Sequence, residues 1–216
     1  MAIPRVLYQT FKTYAGIPLS TRLQMRFERL HCLGWRYEFY DDDRIIEFLH
    51  REYGGDVVRA YDRLAIGANK ADFFRYAVLY KYGGAYLDID SQITARMDTF
   101  VEPEDRAIIA LEGNLRFFVQ WALFYEAGHP FLAKTLDLII DNIATNRFPC
   151  DGHSMTGPTP YTQAIKEVMA GSPSVSYRQM DVDYHPMLSF SRPHQRTLYE
   201  QGGHWRDKQA GGVLKG

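Results

Sequence analysis

The sequence predicts an α/β fold, with helices packed on a mostly parallel central sheet, and three observations predict it. Short apolar runs of strand length alternate with segments of helical period. Glycines close the helical segments, at Gly34, Gly54-Gly55, Gly83-Gly84 and Gly171. The apolar fraction is 46% over 216 residues, enough for a full core in one good-sized domain.

Each element follows in order. IPRVLYQTF (3–11) is a short apolar run opened by a proline and reads as a buried first strand. Leu23, Phe27 and Leu30 recur at helical spacing, and Gly34 stops that helix. WRYEFYD (35–41) alternates large apolar and polar residues, as a half-buried strand does. DDDRIIEFLHREYGG has an acidic first turn, an apolar face of Ile45, Phe48 and Leu49, and a glycine stop, hence a capped helix. NKADFFRYAVLYKYGG (69–84) is the clearest helix in the chain, ending at Gly83-Gly84, and AYLDID is the strand that follows.

RAIIALEG (106–113) reads as another strand. RFFVQWALFYEAG (116–128) is apolar nearly throughout and fits either strand or buried helix. HPFLAKTLDLIIDNIA (129–144) is an amphipathic helix. A last helix is expected with Thr159 as N-cap and Pro160 at its first position, running to Gly171. Residues 1–200 are expected to form one domain and the glycine-rich stretch 201–216 a mobile tail.

Lys+Arg 25 against Asp+Glu 26 leaves a net charge of −1, with no electrostatic footprint for nucleic acid and no basic run for an anionic membrane. The opening MAIPRVLYQTF lacks a signal-peptide pattern, and no apolar run approaches membrane-spanning length. The expectation is a cytoplasmic protein, peripheral at most to the inner face of the membrane. Cys32 and Cys150 have no metal-ligand spacing and read as free thiols. Tyr 15, Phe 13 and Trp 3 suit an aromatic-lined cleft and plain core packing equally.

The stretch that carries chemistry is YGGAYLDID (82–90). Residues i and i+2 on a strand project to one side, roughly 6–7 Å apart. Asp88 and Asp90 would therefore face together beyond the carboxyl end of a strand, where ligands of α/β sheets sit. Two converging carboxylates suit a hard divalent cation, Mn²⁺ or Mg²⁺, held together with substrate phosphates; the alternative is two acids that simply end a strand in solvent. The preceding glycines would let a ligand approach the backbone. One helix upstream, Asp72 and Arg75 share a face at i and i+3. They form either a surface ion pair or a pair in the cleft, with Asp72 accepting from hydroxyls and Arg75 donating to sugar or phosphate oxygens.

Taken together, ANKADFFRYAVLYKYGGAYLDID resembles the signature of glycosyltransferase family 32, the transferases whose sugar-binding region contains a DXD motif. The match falls on Ala68, Ala71, Asp72, Arg75, Tyr76, Leu79, Tyr80, Gly83, Gly84, Tyr86, Asp88 and Asp90. More sparsely, IPRVLYQTF resembles the family's opening strand and nucleotide-side loop, with Tyr8 for the usual His and Phe11 for the usual Trp. WRYEFYDDD, GHPFL (128–132) and TGP (156–158) also match. Gln120 stands where relatives carry an amide, usually Asn, that contacts the transferred sugar. GGHWRD (202–207) resembles the segment that closes over the nucleotide.

The resemblance implies a Rossmann-like GT-A nucleotide-diphospho-sugar transferase fold and a metal-dependent, retaining transfer of a hexose from a UDP- or GDP-linked donor to a glycan or other acceptor. It implies Mn²⁺ (or Mg²⁺) on Asp88, Asp90 and His204. Donor contacts would come from Gln9, Thr10, Phe11, Asp72, Arg75, Gly84, Asp88 and Trp205, with Asp72, Arg75, Asp88, Asp90 and Gln120 as the catalytic set. Surface polysaccharide synthesis is the implied setting. Two other classes compete. A phosphatase of the haloacid-dehalogenase type also uses Asp-x-Asp, but normally on its first strand and followed by x-Thr/Val, whereas Ser91-Gln92 follow here. The other is a sugar-nucleotide-binding protein without turnover.

Overall fold

The computed structural model describes residues 3–172, 174–190 and 208–215. The elements run β1 (Val6–Thr10), α1 (Leu19–Glu28), β2 (Arg36–Tyr40), α2 (Asp42–Glu52), α3 (Gly55–Arg63), α4 (Gly67–Tyr82), β3 (Gly84–Leu87), β4 (Ser91–Ile93) and β5 (Ala107–Ala110). They continue with β6 (Ala122–Tyr125), α5 (Pro130–Ala144), α6 (Gly152–Met155), α7 (Pro158–Gly171), β7 (Arg178–Met180) and β8 (Leu188–Phe190). Six strands form the central sheet in the order β2-β1-β3-β6-β5-β7, and β4 pairs with β8 beside it.

Within the central sheet β2, β1 and β3 are parallel, as are β5 and β7; β6 runs antiparallel between the two groups. The sheet is therefore mostly parallel, as the alternation of strands and helices requires, with a single reversed strand. Period-two alternation sends Tyr8, Tyr86 and Tyr125 to one face and Leu7, Leu87 and Phe124 to the other, so each face has its own apolar layer. The twelve largest fully buried side chains are all Tyr or Phe, which assigns much of the aromatic content to core packing.

Helix α4 lies at the centre of the first layer. Phe73, Phe74, Tyr76, Ala77, Val78 and Leu79 are all fully buried. A helix apolar nearly all round is a core helix, and any polar residue on it is carried inside. Gly83 ends it with φ +67°, and a Cβ there would meet the Ala127 nitrogen at 2.7 Å.

Several expectations are corrected. Gly54-Gly55 does not only stop α2: Gly54 is the N-cap of α3, a helix the sequence reading passed over. The helix expected from Pro160 begins at Pro158, capped by Gly157, because the Thr159 hydroxyl bonds the His153 ring instead. The ambiguous stretch 116–128 resolves into an irregular lead, bridged at Phe118 to Leu111, and β6. Cys32 is buried and Cys150 exposed, both free. Among the described residues no helix is long and apolar enough to cross a membrane.

Helix α1 and the 3-10 turn after it (Arg29–Cys32) bury Thr21, Met25, Glu28 and Cys32. Glu28 is 5% exposed and accepts from Gln24 Nε2 at 2.7 Å. Burial pushes its carboxyl up to about 7, with Gln24 and the Ile93 backbone partly opposing. A folded-state pKa above the unfolded value means that the stabilising contribution is complete below about pH 4.5 and is lost as pH rises through 7. Glu28→Gln is therefore expected to match the wild type in stability near pH 4 and to exceed it by up to about 3 kcal/mol at pH 8, read from urea melts at both pH values. Parallel pH profiles for the two proteins would refute the buried, protonated carboxyl.

Candidate active site

The site is built where α4 meets the carboxyl end of β3. Arg75, 3% exposed, reaches from α4 with every donor occupied. Its Nε donates to the Ala71 carbonyl at 3.3 Å, and its Nη1 donates to both oxygens of Gln120, main-chain at 2.7 Å and side-chain Oε1 at 2.9 Å. Its Nη2 lies 3.1 Å from Asp72 Oδ1 and 3.1 Å from Asp88 Oδ1. The guanidinium also sits 4.8 Å from the Tyr86 ring centroid, and the Tyr86 hydroxyl donates to Asp88 Oδ1 at 2.8 Å. One cation thus bridges two carboxylates in a largely dry setting, where the planar five-donor fork of arginine fits and a lysine would not.

Asp72 is held on its other oxygen. Thr156 Oγ1 donates to Asp72 Oδ2 at 2.8 Å and itself accepts from Asn69 Nδ2 at 2.6 Å. Burial raises the carboxyls of Asp72 and Asp88 above the usual carboxylate range, while Arg75 pulls both down. Two acids share one guanidinium, so with both ionised the triad has a formal charge of −1.

The aspartate pair is not on the strand itself. β3 ends at Leu87, and residues 88–91 form a turn closed by the Ser91 N–H donating to the Asp88 carbonyl at 2.9 Å. The same-side argument from strand geometry therefore does not apply; the turn places the two acids. Asp88 keeps 26% of its side-chain surface exposed, and both of its described contacts fall on Oδ1. Asp90 is buried, and Ile89 between them packs on Ile17 and Met25 beneath α1. Two hard carboxylates from one turn fit a divalent ion that completes its shell with water and substrate phosphates. Among the described residues no group of three or more His, Cys, Asp and Glu forms a ready cage.

The expected residues fall into three groups. Asp72, Arg75, Asp88 and Gln120 form one bonded cluster, with Asp90 in the adjoining turn. Gln9, Thr10 and Phe11 come to the carboxyl end of β1, beside β3: Gln9 accepts from the Tyr37 hydroxyl, Thr10 donates to the Tyr40 carbonyl, and Phe11 packs against the Ile89 cluster. Gly84 is not brought to them. It opens β3 at the opposite end with φ +114°, and the backbone approaching it is that of β1, since a Cβ would meet the Val6 carbonyl at 2.7 Å. His204 and Trp205 lie outside the described residues.

Sequence reasoning gave no role to Thr156, Asn69, Tyr76 or Tyr86, which hold the cluster from four sides. The signal was present for Thr156, in TGP. The other matched segment, GHPFL, builds a helix start: buried His129 caps α5, accepting at Nδ1 from Phe131 N–H and donating from Nε2 to the Ser176 carbonyl.

Gln120 also takes on a definite character. Its Oε1 accepts from Arg75 and from the Tyr76 hydroxyl at 3.0 Å, and its side chain bonds Asp72. Its amide orients the acids through their neighbours. Gln120→Ala should cost about 2 kcal/mol of stability, because it leaves the Tyr76 hydroxyl unpaired in the core. A residue that only touched substrate would leave the urea midpoint unmoved.

The site is thus an acid pair in a turn at the carboxyl edge of a mostly parallel sheet, backed by a buried acid–guanidinium triad. Residues 21–107 match the family described as "Glycosyltransferase sugar-binding region containing DXD motif". It is 36% identical over 104 residues to an uncharacterised glycosyltransferase of Acanthamoeba polyphaga mimivirus, covering 46% of this chain and 40% of that protein. It is 26% identical over 197 residues to the initiation-specific alpha-1,6-mannosyltransferase of Schizosaccharomyces pombe, covering 77% of this chain and 49% of that protein. The chain thus spans less than half the length of these curated relatives. Among solved structures, PaToxG glycosyltransferase aligns with a TM-score of 0.54 at 16% identity, over 97% of this chain and 79% of that one. This likeness establishes the shared GT-A fold.

Proposed function

We propose that this chain is a metal-dependent, retaining glycosyltransferase that moves a hexose from a UDP- or GDP-linked donor to a glycan or other acceptor, in surface polysaccharide synthesis. The observation that carries the reading is the Asp72–Arg75–Asp88 triad walled in beside the aspartate turn. Burying two carboxylates on one guanidinium is costly unless a ligand uses the surplus charge. The names of the fungal relatives, mannosyltransferases, put mannose first among the hexoses to test.

In this reading Asp88 and Asp90 would hold Mn²⁺ or Mg²⁺. When bound, the ion supplies charge stabilisation to the departing diphosphate. Asp72, fixed by Arg75, Thr156 and Gln120, retains acceptor capacity for sugar hydroxyls. Arg75, with its donors engaged, keeps both acids charged and positioned rather than reaching the donor itself. Gln9, Thr10 and Phe11, at the carboxyl end of β1, would line the nucleotide side.

The test is a panel of UDP- and GDP-linked hexoses with Mn²⁺, read out as donor hydrolysis and then as transfer. Hydrolysis of one donor, lost on chelation and restored by Mn²⁺, is expected. Calorimetric donor binding with no turnover would make this a sugar-nucleotide-binding protein. Phosphate release without any sugar dependence would point to a phosphatase.

A further inference from the structure

Helix α1 is built inside out relative to an ordinary surface helix. Its buried side is Thr21, Met25 and Glu28, continued by Cys32, whereas its large apolar side chains face solvent. Leu19, Leu23, Phe27, Leu30 and Leu33 are each 56–66% exposed. At 3.6 residues per turn Leu19, Leu23, Phe27 and Leu30 fall on one stripe, opposite the buried side and roughly 17 Å long. Such a stripe costs solubility unless something covers it. Arg22, Arg26 and Arg29 line one edge of it, and no described carboxylate pairs with any of the three. Arg22 and Arg29 lean on the rings of Tyr14 and Tyr37. The only acid between residues 19 and 33 is Glu28, on the buried side.

A convex apolar stripe with an all-cationic edge fits the boundary of an anionic bilayer, where leucine and phenylalanine enter the acyl region and arginines remain among headgroups. We propose that the outer face of α1 docks on anionic membrane surfaces. The inference does not depend on sugar transfer. It has a geometric consequence for the candidate site, because Met25 on the underside of α1, with Ile17 just before the helix, packs on Ile89, inside the aspartate turn. Docking would set that turn about one helix diameter, roughly 10 Å, from the headgroups.

The test is flotation of the purified full chain with vesicles of phosphatidylcholine alone or with 30% phosphatidylserine, at 0.1 M salt. Partitioning to the anionic vesicles should be on the order of a hundredfold stronger, each arginine contributing roughly fivefold. Arg22→Gln/Arg26→Gln/Arg29→Gln should remove that preference, and Leu23→Ser/Phe27→Ser should weaken binding at least tenfold. Hydrogen exchange of the wild type should slow over residues 19–33 on adding anionic vesicles. Equal binding to both vesicle types, anionic binding that survives both variants, or unchanged exchange over 19–33 would overturn the proposal. So would a stable dimer in solution that Leu23→Ser/Phe27→Ser dissociates and that does not bind vesicles, since a second copy would then cover the stripe.

Discussion

Asp90→Ala is expected to lower sugar transfer by about a thousandfold or more while leaving the thermal melt within a few degrees of the wild type. A bound divalent ion supplies several kcal/mol of charge stabilisation to a departing diphosphate, and about 1.4 kcal/mol is tenfold in rate. Asp90 lies in the turn after β3, outside the ladder, so its loss leaves every strand pairing in place. The check is kcat/KM across a Mn²⁺ titration together with a melt. A variant that keeps most of its Mn²⁺-dependent rate would sink the ligand assignment and, with it, the metal-dependent reading.

Arg75→Met is expected to destabilise the fold by about 3–5 kcal/mol, because it strands Asp72 and Asp88 as buried acids without their shared cation. Asp72 and Asp88 would then be raised still further above the usual carboxylate range. Stability lost in this way returns below the unfolded-state pKa, so the deficit should shrink toward pH 4 and be full at neutral pH. Arg75→Lys restores a charge but not the five-donor fork, and should recover only part of the loss. Urea melts of the three proteins at pH 4.5 and 7.5 decide the matter. If Arg75→Met melts like the wild type at both pH values, the guanidinium serves a ligand rather than the protein.

Much of the fold could be read along the chain because local chemistry and tertiary packing agreed. Asp41 caps α2 by accepting from the Arg44 N–H, and Ile45, Phe48 and Leu49 are its buried face. α4 stops at Gly83 because only glycine suits the left-handed backbone there. Agreement failed where one signal has two meanings. Gly54-Gly55 is both a stop and a start, so α3 was passed over. Leu23 and Phe27 recur as a core stripe does, yet α1 turns them outward, since periodicity finds a face but not what the face meets. The run 116–128 was undecidable until β3 took it as a ladder partner.

The candidate site divides in the same way. Asp72, Arg75, Asp88 and Asp90 were identifiable from residue type and spacing, because a carboxylate pair after an apolar strand and a charged pair on a core helix are local patterns. That Arg75 has its donors engaged within the protein, that Gln120 braces the acids, and that Thr156 clamps Asp72 across 84 positions were not readable. Each is a contact between segments distant in the chain, and no local pattern specifies which side chain will meet which once the sheet is assembled. The sequence by itself determined the alternation of strands and helices and the kinds of charge available. Only the packing of α4 against β3 and the Gln120 segment decided that those charges would be buried together, and burial is what makes their surplus negative charge chemically consequential.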